Sequence, residues 1–162
     1  MAEDRTNMVS LLDIGSLMGG KTPKIAEIGD GFSELNEDWS PKTQTTQYIN
    51  MRTESNTVNG YNFSTTLDRE FISDDMQETI NTLLKKFPTG EKCNTYYYRY
   101  YKTDFTGNSG SCIRVPVTVC PASTGGGGGD VLKSSIQLNG RGDAEEGTMT
   151  IAEDGSFSWE KN

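Results

Sequence analysis

The chain has 162 residues, 18 of them Gly, and only 33% of it is hydrophobic. That length fits one domain, and that composition leaves a thin core, so part of the surface is expected to be buried only against copies or partners. A net charge of −8 and the absence of His set aside a basic nucleic-acid footprint, Ser-His-Asp and Cys-His catalysis, His-built zinc sites and a histidine pH switch.

Residues 1–20 read as an N-terminal arm. Residues 1–10 are polar, and Val9, Leu11, Leu12, Ile14, Leu17 and Met18 form a short apolar patch that ends at Gly19-Gly20. A helical turn and an extended docking arm both fit it. The rest, 21–162, reads as a single β domain. Residues 43–51 are rich in Thr and Gln and suit a strand polar on both faces. Residues 61–71 alternate, with Tyr61, Phe63, Thr65, Leu67, Arg69 and Phe71 on one side. Between them Asn59-Gly60 is a turn signal, so 43–71 reads as a long hairpin with a polar loop at about 50–60.

The strongest local signal is a helix over about 74–87. Ser73 is placed to cap it, and Asp74, Asp75 and Glu78 put negative charge near its start. Met76, Ile80, Leu83, Leu84 and Phe87 make one apolar stripe, opposite a polar face of Gln77, Thr79, Asn81 and Thr82. Lys85, Lys86, Pro88 and Gly90 end it. Ile80 and Leu84 are expected in packing.

A tyrosine-dense strand follows at 93–105. Tyr96, Tyr98 and Tyr100 share one face, and Tyr97, Arg99, Tyr101 and Thr103 the other. A Tyr ring wants apolar cover and a partner for its hydroxyl, so neither face is plain solvent, and Tyr96, Tyr98 and Tyr100 are candidates for packing, within the core or between subunits. After a loop at 106–110, Ile113, Val115, Val117 and Val119 alternate with polar neighbours. Pro116 inside that run suggests an edge strand or a bulge. Gly125 to Gly129 reads as a flexible loop. Further strands are expected at 131–138, 147–152 and 156–160, the last with Phe157 and Trp159 on one face. Together these predict a mainly β fold, a β-sandwich or half-open barrel with one flanking helix.

Charge is uneven. Residues 1–40 and 143–162 each carry a net −5, and 41–142 carry +2. Gly15-Ser16-Leu17-Met18-Gly19-Gly20-Lys21-Thr22 matches the phosphate-loop pattern, but Pro23 follows at once and no βαβ repeat comes after it. Arg141-Gly142-Asp143 reads as a solvated turn. Asp74-Asp75 and Glu145-Glu146 are neighbours in sequence that do not converge on a substrate. Cys93, Cys112 and Cys120 are odd in number and widely spaced, so inert thiols in a reducing compartment are expected. No leader-like opening and no run of about 18 apolar residues occurs, which predicts no membrane insertion. No catalytic, metal or cofactor site is expected, and the chain is read as a non-enzyme.

The order of elements is familiar in Thr46-Gln47-Tyr48-Ile49-Asn50, Gly60-Tyr61-Asn62-Phe63-Ser64, Arg69-Glu70-Phe71-Ile72-Ser73-Asp74-Asp75, the single helix, Pro88-Thr89-Gly90, and a meander ending Asp154-Gly155-Ser156-Phe157. It resembles the major tail tube proteins of long-tailed bacteriophages of Gram-positive hosts, over most of 22–160. The resemblance implies six copies per ring and rings stacked into a hollow, β-lined tube of the virion tail, assembled in the bacterial cytoplasm. It implies a channel filled by the tape measure protein and later crossed by DNA, with a tail terminator and distal tail or baseplate proteins as further partners. It places ring-to-ring contacts on the arm (Met8, Leu11, Leu12), on the hairpin loop (Arg52, Thr53, Glu54, Asn56, Val58) and on the C-terminal segment. A negative chain suits a channel through which DNA slides, since phosphate-neutralising cations would hold it. The alternatives are the tube protein of a contractile tail or tailocin, and a β-sandwich carbohydrate-binding or adhesion module using Tyr96–Tyr101 as its platform.

Overall fold

The computed structural model describes residues 2–162. Ten strands and one helix follow in order: β1 (Met8–Asp13), β2 (Ile25–Glu27), β3 (Pro41–Thr46), β4 (Ser55–Tyr61), β5 (Ser64–Glu70), α1 (Asp75–Lys86), β6 (Asn94–Thr106), β7 (Ser109–Gly125), β8 (Lys133–Gly140), β9 (Glu145–Ile151) and β10 (Phe157–Lys161). Eight strands form one antiparallel sheet, in the order β10-β9-β7-β6-β1-β2, with β8 also on β7 and β5 on β8. The fold is mainly β, a curled half-barrel sheet with one helix, as its alternating patterns predict.

The sheet curls because β7 serves two partners on one side. Its first half, Ser109–Arg114, pairs with β9, and its second half, Val117–Gly125, pairs with β8. Pro116 sits at the gap between them. Its register with β6 is unbroken, and its carbonyl accepts from Arg141 N at 3.0 Å. The missing N–H thus falls where no partner strand runs. The expectation of a bulge or edge strand is corrected: β7 is central, and proline is tolerated at the change of partner.

Both faces of the sheet are covered. One carries the larger core, in which Leu12, Leu67, Tyr97, Val115, Val117, Ile136 and Leu138 meet Met76, Ile80 and Leu83 of α1. On the other, strands β10 to β2 wrap a second core of Val9, Leu11, Tyr98, Tyr100, Cys112 and Met149, closed by Ile25, Phe157 and Trp159. The first half of the tyrosine strand, residues 94–100, therefore lies between two cores, and Tyr98 and Tyr100 pack inside the subunit.

The arm over residues 1–20 is a correction. Its residues 8–13 form β1, an inner strand between β6 and β2. Leu11 and Leu12 point into opposite cores and are fully buried, each worth about 1.5–3 kcal/mol of burial. As folded, neither is free to meet another ring. Met8 is half-buried.

The long hairpin is corrected too. Among the described residues β3 and β4 pair as strands with each other alone, and the loop between them is 47–54. Asn59-Gly60 is no turn but lies inside β4, and Asn56 and Val58 are strand residues. β5 belongs to the main sheet, its outer edge partly covered where Phe32 bridges Arg69 and Asp38 bridges Ser64. Gly125 ends β7, paired with Lys133, and residues 126–129 lie between β7 and β8.

In α1 the cap is Asp74, not Ser73: the Asp74 carboxylate accepts from Gln77 N at 2.9 Å. Its other oxygen takes a bond from the guanidinium of Arg69, which is fully buried on β5 and also donates to Asp30 O at 3.2 Å. Helix start and sheet are thus tied by one ion pair. Ile80 lies in the core, with Leu84 packed against it. Phe87 leaves the stripe, because it ends the helix in the left-handed region with φ 46° and stands exposed. Gln77 leaves the polar face and is fully buried, donating to Asn81 Oδ1 at 3.0 Å.

The Arg69 guanidinium holds the Asp74 carboxyl below its ordinary value of 3.8. This contribution to stability is present above that value and is lost as pH falls through the depressed one. Asp74→Ala is expected to cost about 2 kcal/mol, more than a cap alone (~1) and less than a wholly buried pair (~3–5), because the carboxylate stays partly in water. Urea titrations check this. Wild type should lose more stability than Asp74→Asn as pH is lowered past 3.8; equal losses contradict it.

Candidate assembly surface

The phosphate-loop match folds onto itself. Asp13, buried at the end of β1, accepts from Gly15 N at 3.0 Å, Ser16 N at 3.2 Å, Ser16 Oγ at 2.6 Å and Lys24 N at 3.0 Å. The N–H groups that a phosphate would need face the chain's own carboxylate. Arg141, of the Arg-Gly-Asp tripeptide, lies back on the sheet and donates to Val117 O at 3.2 Å. Glu145 belongs to β9 and pairs with Arg114 at 2.8 Å, which holds its carboxyl below the ordinary value. Among the described residues, no three His, Cys, Asp or Glu side chains gather as a metal site, and no helix is long and apolar enough to cross a membrane.

The last strand is fastened by an arginine sandwich. The Arg114 guanidinium lies 4.3 Å from the Tyr96 ring centre and 4.1 Å from that of Trp159. The Trp159 indole donates to Cys112 O at 3.1 Å. It presses on Gly147, where a Cβ would meet the ring at 2.4 Å. Tyr96 is therefore committed within the subunit, as are Tyr98 and Tyr100. Of the six residues 96–101, Tyr101 alone is exposed, so they offer no open aromatic platform.

What the body leaves uncovered is β3–β4. Both strands are exposed along nearly their whole length. Tyr48 is 67% exposed, Ile49 fully, Val58 52% and Tyr61 63%. A two-stranded hairpin of this kind is marginal in water without a sheet or helix behind it. At its foot lies a groove of about 330 Å³, lined by Trp39, Tyr61, Arg99, Ile113, Ala144, Glu145 and Glu146. Behind the groove Glu37 ties the layers together. Its carboxylate accepts from Trp39 Nε1 at 3.0 Å and Tyr97 OH at 2.7 Å, and it pairs with Arg99 at 3.4 Å. Burial pushes the Tyr97 phenol far up. Arg52, Thr53 and Glu54 stand in the 47–54 loop, exposed.

No protein-family model and no curated protein sequence matches the chain. Solved structures do. One is a chain of the native gene transfer agent virion, with TM-score 0.62 at 11% identity, covering 90% of this chain and 98% of that one. The fold is tail-tube-like. A second is the tail of the empty gene transfer agent particle, of C6 symmetry, with TM-score 0.62 at 12% identity, covering 88% and 97%. A third is the sheath/tube terminator structure of an extracellular contractile injection system, with TM-score 0.53 at 8% identity, covering 90% and 96%.

The groove, the hairpin and its tip hold no cysteine. Cys112 lies in the second core, where burial pushes its thiol up to about 12. Maleimide is expected to leave Cys112 unmodified in the folded protein and to modify it after unfolding. Labelling of Cys112 faster than that of half-exposed Cys120 contradicts this placement.

Proposed function

We propose that this chain is the repeating subunit of a phage-type tail tube, polymerising as stacked rings of six around a channel for DNA. The carrying observation is the uncovered β3–β4 hairpin, which has apolar side chains and free strand edges but nothing of its own chain to cover them. A strand edge of this kind pairs with another chain or is lost to aggregation. The fold is shared over nearly the full length of a chain from a C6 tail, which supports six-fold rings. The net charge of −8 suits a channel wall that does not retain phosphate.

In this reading the hairpin, with Arg52, Thr53, Glu54, Asn56 and Val58, reaches the next ring, and half-buried Met8 and the polar residues before it flank that contact. The tube belongs to a long, non-contractile tail of a phage of Gram-positive hosts, built in the host cytoplasm and carried in the virion. The channel holds a tape measure protein until DNA passes, and a terminator and a distal tail complex close the ends. A contractile tube is the second reading, favoured by the likeness to an injection-system sheath/tube terminator structure.

Concentrated wild-type protein viewed by negative-stain microscopy should show hollow, striated tubes. Replacing residues 47–54 by Asn-Gly closes the hairpin from Thr46 to Ser55 with a two-residue turn. That variant should keep the wild-type circular dichroism and melting temperature and lose the tubes. Unchanged tubes would remove the hairpin from the contact.

A further inference from the structure

The register of β3 with β4 contains one irregularity, and it decides which side chains share a face. Lys42 lies opposite Gly60, but Thr43 lies opposite Val58, so Asn59 is an extra residue. Side chains directly opposite each other in an antiparallel pair point the same way. One face of the hairpin therefore carries Pro41, Thr43 and Thr45 with Tyr61, Val58 and Asn56. The other carries Lys42, Gln44 and Thr46 with Gly60, Thr57 and Ser55. The side-chain bonds agree: Thr45 donates to Asn56 at 2.7 Å on the first face, and Asn59 to Gln44 at 3.2 Å on the second. Without the extra residue, Val58 and Tyr61, three apart, would point in opposite directions. The bulge makes a polar ribbon two-sided, with an apolar face.

That face runs into the groove at the hairpin's foot, because Tyr61 belongs to both. Ile113 and Ala144 extend it onto the body. At the far end of the same hairpin, Ile49 and Tyr48 stand in solvent. The six residues of β3 hold that tip roughly 20 Å from its own foot, so it cannot fold back into the groove. Charge favours the match of tip to foot between copies. In the tip, Arg52 makes no ion pair among the described residues, and the groove's lining carries Glu145 and Glu146 against Arg99, a net −1. Glu145 is held by Arg114 and Lys161, while Glu146 makes no ion pair among the described residues.

We propose that the bulge-built apolar face of β3–β4, with the groove at its foot, is the seat for the hairpin tip of a second copy of this chain. Ile49 and Tyr48 of the incoming tip lie against Val58, Tyr61, Ile113 and Ala144, and Arg52 faces Glu146. Because tip and seat are different surfaces, the contact is heterologous: each copy that accepts a tip offers its own, and the contact repeats from ring to ring along an open stack. The inference rests on the tube reading and names the contact within it.

The test uses two proteins that each add one exposed cysteine to a Cys120→Ser background in which Cys93 and Cys112 stay buried, Ile49→Cys and Ala144→Cys, mixed at high concentration with a short bis-maleimide. The mixture should give a covalent dimer several-fold above that of either protein alone. Ile49→Cys mixed with Lys85→Cys, exposed on α1, should give no such excess. A mixture no better than its components overturns the seat. Deleting Asn59 should abolish assembly while leaving the monomer's melting temperature unchanged, and Asn59→Ser, which keeps the bulge, should assemble as wild type. Should the deletion variant fail to fold, Val58→Asp is measured in its place, with the same loss expected. Assembly of either variant at the wild-type level overturns the role of the face. Wild-type tubes without the crosslink remove the seat and leave the tube reading standing; the crosslink without tubes does the reverse.

Discussion

A backbone amide or a large apolar side chain needs cover, from its own chain, from water or from another molecule. In the body of this protein the chain supplies that cover on both faces of its sheet. On β3–β4 it supplies almost none. The two strands satisfy each other along one edge only, and Ile49, Tyr48, Val58 and Tyr61 have no core to enter. The functional reading follows from this imbalance more than from any residue with a chemical task.

The body can afford to project such a hairpin because it is tied at several distant points. β7 carries β9 on one half and β8 on the other, so a single strand holds both limbs of the sheet. Arg69 and Asp74 fasten the helix to β5. Arg114, between Tyr96 and Trp159, fastens the last strand. Glu37 links the segment before β3 to the tyrosine strand, through Tyr97 and Arg99. The hairpin thus leaves from a firm base, with Trp39 and Tyr61 at its root.

Where a structural cause was local, it was legible. The helix shows because its stripe, charges and stop signals all lie within 73–90. Tyrosines on both faces of β6 announced two covered faces, and two cores are there. β1 was missed because a strand buried on both sides loses its alternation, and Val9, Leu11 and Leu12 then look like an apolar patch. Pro116 misled because the rule for proline takes one partner along the whole strand, while β7 changes partners there. Asn59-Gly60 carries a turn's composition, yet its place in β4 is decided by pairing with Lys42 and Thr43. The foot groove joins Trp39, Arg99, Ile113 and Ala144 from four separate stretches, so no window of sequence contains it. Gln77 shows the same limit: its burial depends on what packs over the helix, not on its neighbours in the chain.

Amide hydrogen exchange read along residues 41–61, in the monomer and in the assembled protein, tests the central claim most directly. An unfinished hairpin should exchange quickly in the monomer while β6 and β7 stay protected, and it should slow by orders of magnitude on assembly. Equal protection of the hairpin in both states would mean that it is complete alone, and would contradict the account.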